Sequence, residues 1–178
     1  KENVYMKTRS SRDTVYQLSG TKWIPYLYLD MGKYQMPIEY EAWYSEDAYN
    51  KNAINYWNIP RLEEDDRYFF FTAVRHKYIQ KGENENDCKF IIYDKKAKEG
   101  FVVKDENGMK ITDDILGGPN FWPRWSTDNF YITTMEWSDL EQWTKEEKHI
   151  LSPTLQEQFE TWGEDTNQLI VLCKKNNI

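Results

Sequence analysis

Cysteine is scarce, and where it sits excludes more than its number does. The chain holds 2 cysteines, Cys88 and Cys173, far apart and outside any CxxC pair or Cys/His cluster, so a zinc site has no basis. Whether the two pair in a disulfide stays open at this level. Long apolar runs are also missing: nothing approaches the roughly 20 residues a membrane-crossing helix needs. The first residues, "KENVYMKTRSS", lack the apolar core of a signal peptide. Excess positive charge is absent as well, since 23 Lys and Arg face 30 Asp and Glu and leave a net charge of −7. Affinity for phosphate backbones comes mainly from lysine and arginine displacing counterions, which disfavours nucleic acid as a partner.

Catalytic signatures are equally sparse. No GxSxG, HExxH, P-loop or GxGxxG occurs. The 2 histidines, His76 and His149, neighbour no nucleophile in a recognised motif and read as bystanders. No catalytic residue, metal or cofactor is assigned.

What the chain has instead is rings. Aromatic residues make up 16% of it, with 8 Trp and 13 Tyr, although the mean hydropathy is only −0.89. Large amphipathic rings in place of Leu, Ile and Val suit β-strands, and they also suit sticky surfaces. At 178 residues, one domain is the default reading.

Along the chain, "DTVYQLSGTKWIPYLYLDMGKY" reads as a β-meander turning at Ser19-Gly20. The next stretch, "IEYEAWYSEDAYNKNAINYWN", is less periodic and reads as a connection with some helix. Strand character returns in "RYFFFTAVRHKYI" and "KFIIYDKKAKEGFVV", the latter with a hairpin turn from Asp94 to Gly100. The run "RLEEDDR" ahead of them is most simply a solvated turn. "NFYITTMEW" is a further strand, with Asp128-Asn129 at its turn. Ser138 and Glu141 then look like a capping box, and Ser152-Pro153 like a second helix start that runs to a stop at Gly163. Two short helices over about 139–162 are thus expected. The closing "QLIVLCKK" fits a buried strand.

Strand, turn, strand recurs in clusters over 2–36, 60–104 and 111–137 with 168–175. With inserted connections, that spacing suggests about three blades of a β-propeller. "DTVYQLSGTKWIPYLYLDMGKYQMP" and "DDILGGPNFWPRW" resemble motifs of the six-bladed β-propeller proteins found widely in Bacteroidetes, and the terminal helices with "NQLIVLCKK" look like that family's closing segment. The resemblance implies a mainly β fold, half of a six-bladed ring ending in a short helical segment. It also implies an extracytoplasmic location, in the periplasm or at the cell surface, with a leader or lipid anchor outside this chain. The half ring leaves three open readings: two copies close it by self-association, the chain is a fragment, or a shortened variant packs its helices over the open side.

The best place to look for a ligand is the corner "DDILGGPNFWPRW", with Asp113 and Asp114 as acids, Trp122 or Trp125 as a stacking wall and Arg124 as a polar clamp. Adjacent Asp113 and Asp114 face opposite ways in an extended chain and cannot act on one atom together. The simpler reading makes the same stretch a stiff corner built on Gly117-Gly118, Pro119 and Pro123. The function that follows is a non-enzymatic binding or interaction module for a small polar ligand, a glycan or an envelope protein. The competing readings are an extracellular carbohydrate-active hydrolase or lyase using Asp114 and Arg124, and a structural part of a larger assembly.

Overall fold

Short runs of β-branched and aromatic residues become antiparallel ladders in this chain, and the turn residues between them set the registers. The computed structural model describes residues 4–7, 12–41, 51, 55–75, 88–104, 110–145, 150–163 and 167–175. Tertiary contacts divide the chain into two compact units, Lys1–Leu62 with Phe71–Ile91, and Glu63–Phe70 with Ile92–Ile178.

In the first unit, β1 (Tyr5–Met6), β2 (Thr14–Ser19) and β3 (Lys22–Tyr28) form one sheet in that order. Gly20, at φ +62°, supplies the left-handed residue that its two-residue hairpin requires. Val15 faces Leu27 while Tyr16 faces Pro25, so Tyr26 is the extra residue of a β-bulge. Its ring leans on Tyr5, with centroids 5.0 Å apart. Two short 3₁₀ turns follow, Gly32–Tyr34 and Ile38–Glu41, and Met36 is buried against Tyr40 and Tyr56. The rest of the segment read as a partly helical connection lies mostly outside the described residues.

The second sheet orders β4 (Asn58–Glu64), β5 (Tyr68–Val74), β6 (Cys88–Asp94) and β7 (Glu99–Val102) in sequence. Phe69, Phe70, Phe71 and Ala73 of β5 are all buried. Consecutive buried positions mean that both faces of this strand are covered, which is why it reads as a continuous apolar run.

In the second unit, β8 (Trp125–Ser126), β9 (Phe130–Met135) and β10 (Leu169–Lys174) pair antiparallel in the order β10-β9-β8. Two helices, α1 (Trp137–Thr144) and α2 (Pro153–Thr161), join them. Leu140 and Leu155 are fully enclosed with Met135, and Leu116, Leu151, Phe159, Trp162, Leu169 and Val171 close the cluster. At α2 the expected start is the observed one: Ser152 accepts the Leu155 N–H and Pro153 takes the first turn. At α1 the capping box lies two residues earlier than expected, between Glu136 and Asp139. A glutamate can cap as serine does, and spacing alone does not choose between overlapping pairs.

The fold differs from the sequence reading in two further respects. β10 alternates half-buried and exposed residues and leaves Ile170 and Leu172 open, so it is an edge strand with one covered face and not a buried one. No propeller ring is formed either: the described strands make three separate sheets of three, four and three strands. Strand and turn periodicity specifies hairpins, and hairpins alone do not dictate how sheets are arranged. Both cysteines carry thiols, and burial, followed by the Asp113 charge, raises the pKa of Cys173.

The α2 cap gives a direct check on this account. Ser152→Ala removes the acceptor for the Leu155 N–H and is expected to cost about 1 kcal/mol. Urea unfolding should show a lower midpoint with an unchanged slope.

Candidate functional site

Three aspartates organise the second unit by one device. Each accepts the backbone N–H groups two and three residues ahead, which closes a tight turn on its own carboxylate. Asp65 holds Arg67 at 2.8 Å and Tyr68 at 2.6 Å. Asp94 holds Lys96 at 2.8 Å and Ala97 at 3.0 Å. Asp113 holds Ile115 at 3.2 Å and Leu116 at 2.9 Å, and its second oxygen reaches Gly118 at 3.3 Å.

This settles the posture of the corner "DDILGGPNFWPRW". Asp113 is turned inward and occupied by the backbone, while Asp114 is exposed. Gly117 adopts φ +71°, and a Cβ there would come within 2.2 Å of the Ile150 carbonyl oxygen. The Trp143 indole donates to the Gly117 carbonyl at 2.9 Å, and the Ser152 N–H to the Leu116 carbonyl at 2.7 Å. Trp122 and Pro123 are buried, Trp122 meeting Phe70 edge to face at 5.7 Å. Of the five residues singled out, Asp113 and Trp122 therefore build the corner, and Asp114, Arg124 and Trp125 are displayed by it. Arg124 donates its backbone N–H to Ile132 at 2.8 Å, and Trp125 pairs with Ile132 as β8 begins, its side chain 51% exposed. Asp114 and Arg124 form no ion pair with each other among the described residues.

The densest polar cluster among the described residues lies in "RLEEDDR", which reads in the sequence as a solvated turn. Besides its two backbone donors, Asp65 accepts the Tyr131 hydroxyl at 2.5 Å and pairs with Lys175 at 3.2 Å. Lys175 also lies over the Tyr131 ring, 4.5 Å from its centroid. Lys95 bonds the Asp65 carbonyl and pairs with Glu64 at 2.8 Å. Ser126 ties in through the Glu63 carboxylate and the Glu64 carbonyl, each at 2.9 Å. Arg67 pairs with Asp94 at 3.0 Å and links the first two aspartate turns.

Burial pushes the Asp65 pKa up, but the Tyr131 hydroxyl, the Tyr68 and Arg67 N–H groups and Lys175 outweigh it and hold the carboxyl below its ordinary value. Burial and the Asp65 bond raise Tyr131 well above the usual phenol range, so it stays a donor. A carboxylate offers about four lone-pair sites, and Asp65 has four donors. It is a saturated clasp, not a waiting base or metal ligand. Among the described residues no cluster of three or more His, Cys, Asp and Glu is placed to hold a metal ion. His76 and His149 lie outside the described residues. The signal that would have found Asp65 is turn chemistry: an acid followed by a polar pair between two strands.

Two substitutions test this geometry. Asp65→Asn is expected to cost about 2 kcal/mol at neutral pH, because Lys175 and the Tyr131 hydroxyl lose a charged partner. A depressed folded-state pKa gives stability that is full above about pH 4 and lost as pH falls through the folded value. The gap between wild type and variant should therefore close in acid, as followed by urea midpoints from pH 7 to pH 2. Gly117→Ala combines a left-handed backbone with a clash against Ile150, and should cost about 2 kcal/mol or more. An unchanged melting temperature would refute the close approach.

Residues 1–174 match the family profile described as "Domain of unknown function (DUF4934)". A crystal structure of a "Putative exported protein" from Bacteroides fragilis NCTC 9343 superposes with a TM-score of 0.59 at 16% identity, over 98% of this chain and 48% of that one. The two share a fold, and this chain spans about half the length of that protein. No curated protein matches. The resemblance to six-bladed propellers is overturned by these findings together with the three separate sheets. By a match running through nearly all of its length, the chain belongs to the DUF4934 family.

Proposed function

We propose that this chain is a non-enzymatic binding module of an extracytoplasmic protein, and that the Asp113–Trp125 corner presents its contact surface. One observation carries the reading: the corner is held from within. Asp113, Gly117, Trp122 and Pro123 fix the backbone, so the side chains of Asp114, Arg124 and Trp125 are left exposed on an ordered frame. A surface that is already ordered loses little entropy on binding, and Trp and Arg are the residues that most often anchor contacts. The name of the Bacteroides fragilis structure describes an exported protein, which supports the location. No helix among the described residues is long and apolar enough to cross a membrane.

The ligand chemistry that fits this corner is polar and flat, taking a ring contact from Trp125 and hydrogen bonds from Arg124 and Asp114. The test is a binding screen of small polar compounds and envelope oligosaccharides by calorimetry, repeated with Trp125→Ala and Arg124→Ala. Each substitution is expected to weaken binding about tenfold while leaving the melting temperature in place, since both side chains are exposed. Turnover of any screened compound that Asp114→Asn abolishes would sink the non-enzymatic reading. Binding that is indifferent to all three substitutions would remove the corner.

A further inference from the structure

The β1-β2-β3 sheet of the first unit is built unlike the rest of the chain. Lys22 is the one charged residue in its three strands, in a protein of which 30% is charged. Yet β3 is largely exposed: Trp23 at 41% and Tyr28 at 63%. Solvated strand faces ordinarily carry charge, so an open one whose three strands hold a single charged residue points to an occupant.

The register gathers the exposed rings. Thr14, Tyr16 and Leu18 alternate onto one face of β2, and they oppose Tyr28, Pro25 and Trp23 respectively. Met6 opposite Tyr16 extends the same face. Trp23 and Tyr28 therefore stand at the two ends of one strip, about 16 Å apart along the strand. Tyr28 also stands beside a fixed acid: the Asp13 carboxylate, held by Thr14 at 2.8 Å and Gln35 at 3.1 Å, raises the Tyr28 pKa through its charge. An exposed ring beside a fixed carboxylate offers a flat face and a hydrogen-bond acceptor together.

The open edge of β3 does not explain the strip. Pro25 has no N–H to give, and a proline in an edge strand interrupts the ladder that an added strand would form. Docking falls to the side-chain face, and its chemistry selects the occupant. Flat rings set among tyrosine, threonine and proline, with the Asp13 carboxylate at the Tyr28 end as an acceptor, match a molecule with flat apolar faces and hydroxyl rims and disfavour an anionic one. Pyranose rings have that form. A strip of this length spans several of them.

We infer that the Trp23–Pro25–Tyr28 face is a platform for a neutral oligosaccharide. This rests on the binding-module reading and adds to it a site in the other unit, distinct from the Asp113–Trp125 corner.

The experiment titrates the whole chain with neutral hexasaccharides (cello-, xylo-, manno- and malto-series) by calorimetry, with polygalacturonate as the charged control. Saturable binding of a neutral series is expected. Trp23→Ala and Tyr28→Ala should each weaken it tenfold or more, Trp23→Tyr should restore most of it, and Leu172→Ala, at an exposed position of β10, should leave it unchanged. Circular dichroism melts of the exposed-residue variants should match wild type, which separates lost binding from lost folding. Binding abolished by Trp125→Ala and untouched by Trp23→Ala would overturn the platform while keeping the binding module. No neutral series bound, or preference for the charged control, would also overturn it, and the screen at the corner then judges the module separately. Light scattering closes the last route: a dimer that Trp23→Ala converts to monomer would make the face a self-association surface and end the proposal.

Discussion

The second unit depends on what a carboxylate can do for backbone N–H groups. A tight turn leaves two or three donors pointing inward with no partner, and each would cost about 1–3 kcal/mol if buried unmet. Asp65, Asp94 and Asp113 meet them with one side chain each. Everything placed by those turns inherits the arrangement: β5 leaves from the Asp65 turn, β7 from the Asp94 turn, and the displayed corner from Asp113. Two of the three are then tied together by Arg67, which pairs with Asp94. Charge that reads in the sequence as solubility is here spent on local geometry.

Aromatic content divides along similar lines. Phe70 sits between Trp122 and Tyr131, meeting both edge to face at 5.7 and 5.2 Å. Those rings do the work that branched aliphatics do elsewhere, with the added directionality of ring quadrupoles. Trp137 and Phe159 stack between the two helices at 5.9 Å. In the first unit the rings of β3 lie largely in solvent. Composition alone could not separate these two uses, because burial is a property of pairing and register.

Much of the mainly β character was legible, and for a physical reason. Period-two alternation and β-branched or aromatic runs act within a single strand, so "TVYQLS", "YFFFTAV" and "FYITTM" declare themselves. The Ser152-Pro153 start was legible because cap and first turn are adjacent in sequence. What escaped depends on distance or on competition. Asp65 meets Tyr131 across 66 residues, and no local pattern marks such a pair. The α1 cap was displaced because Glu136–Asp139 and Ser138–Glu141 both satisfy the same spacing. The arrangement of the sheets escaped for the same reason as the clasp, since it is set by contacts between segments. At the corner, the opposite facing of Asp113 and Asp114 was legible, but which of them turns inward is decided only by the backbone donors that Asp113 meets.

The clasp on Asp65 also bears on how the chain comes to be finished. Its donors arrive at very different times during synthesis: Arg67 and Tyr68 almost at once, Tyr131 much later, and Lys175 only beyond the last strand. Until then a carboxylate destined for burial has only its local turn, and the β4–β5 corner must wait partly formed while the intervening residues emerge. Lys175 also lies one residue past the span that defines the family match. A chain cut at that boundary would keep every strand and helix described here and still lack the cation that completes the Asp65 cluster.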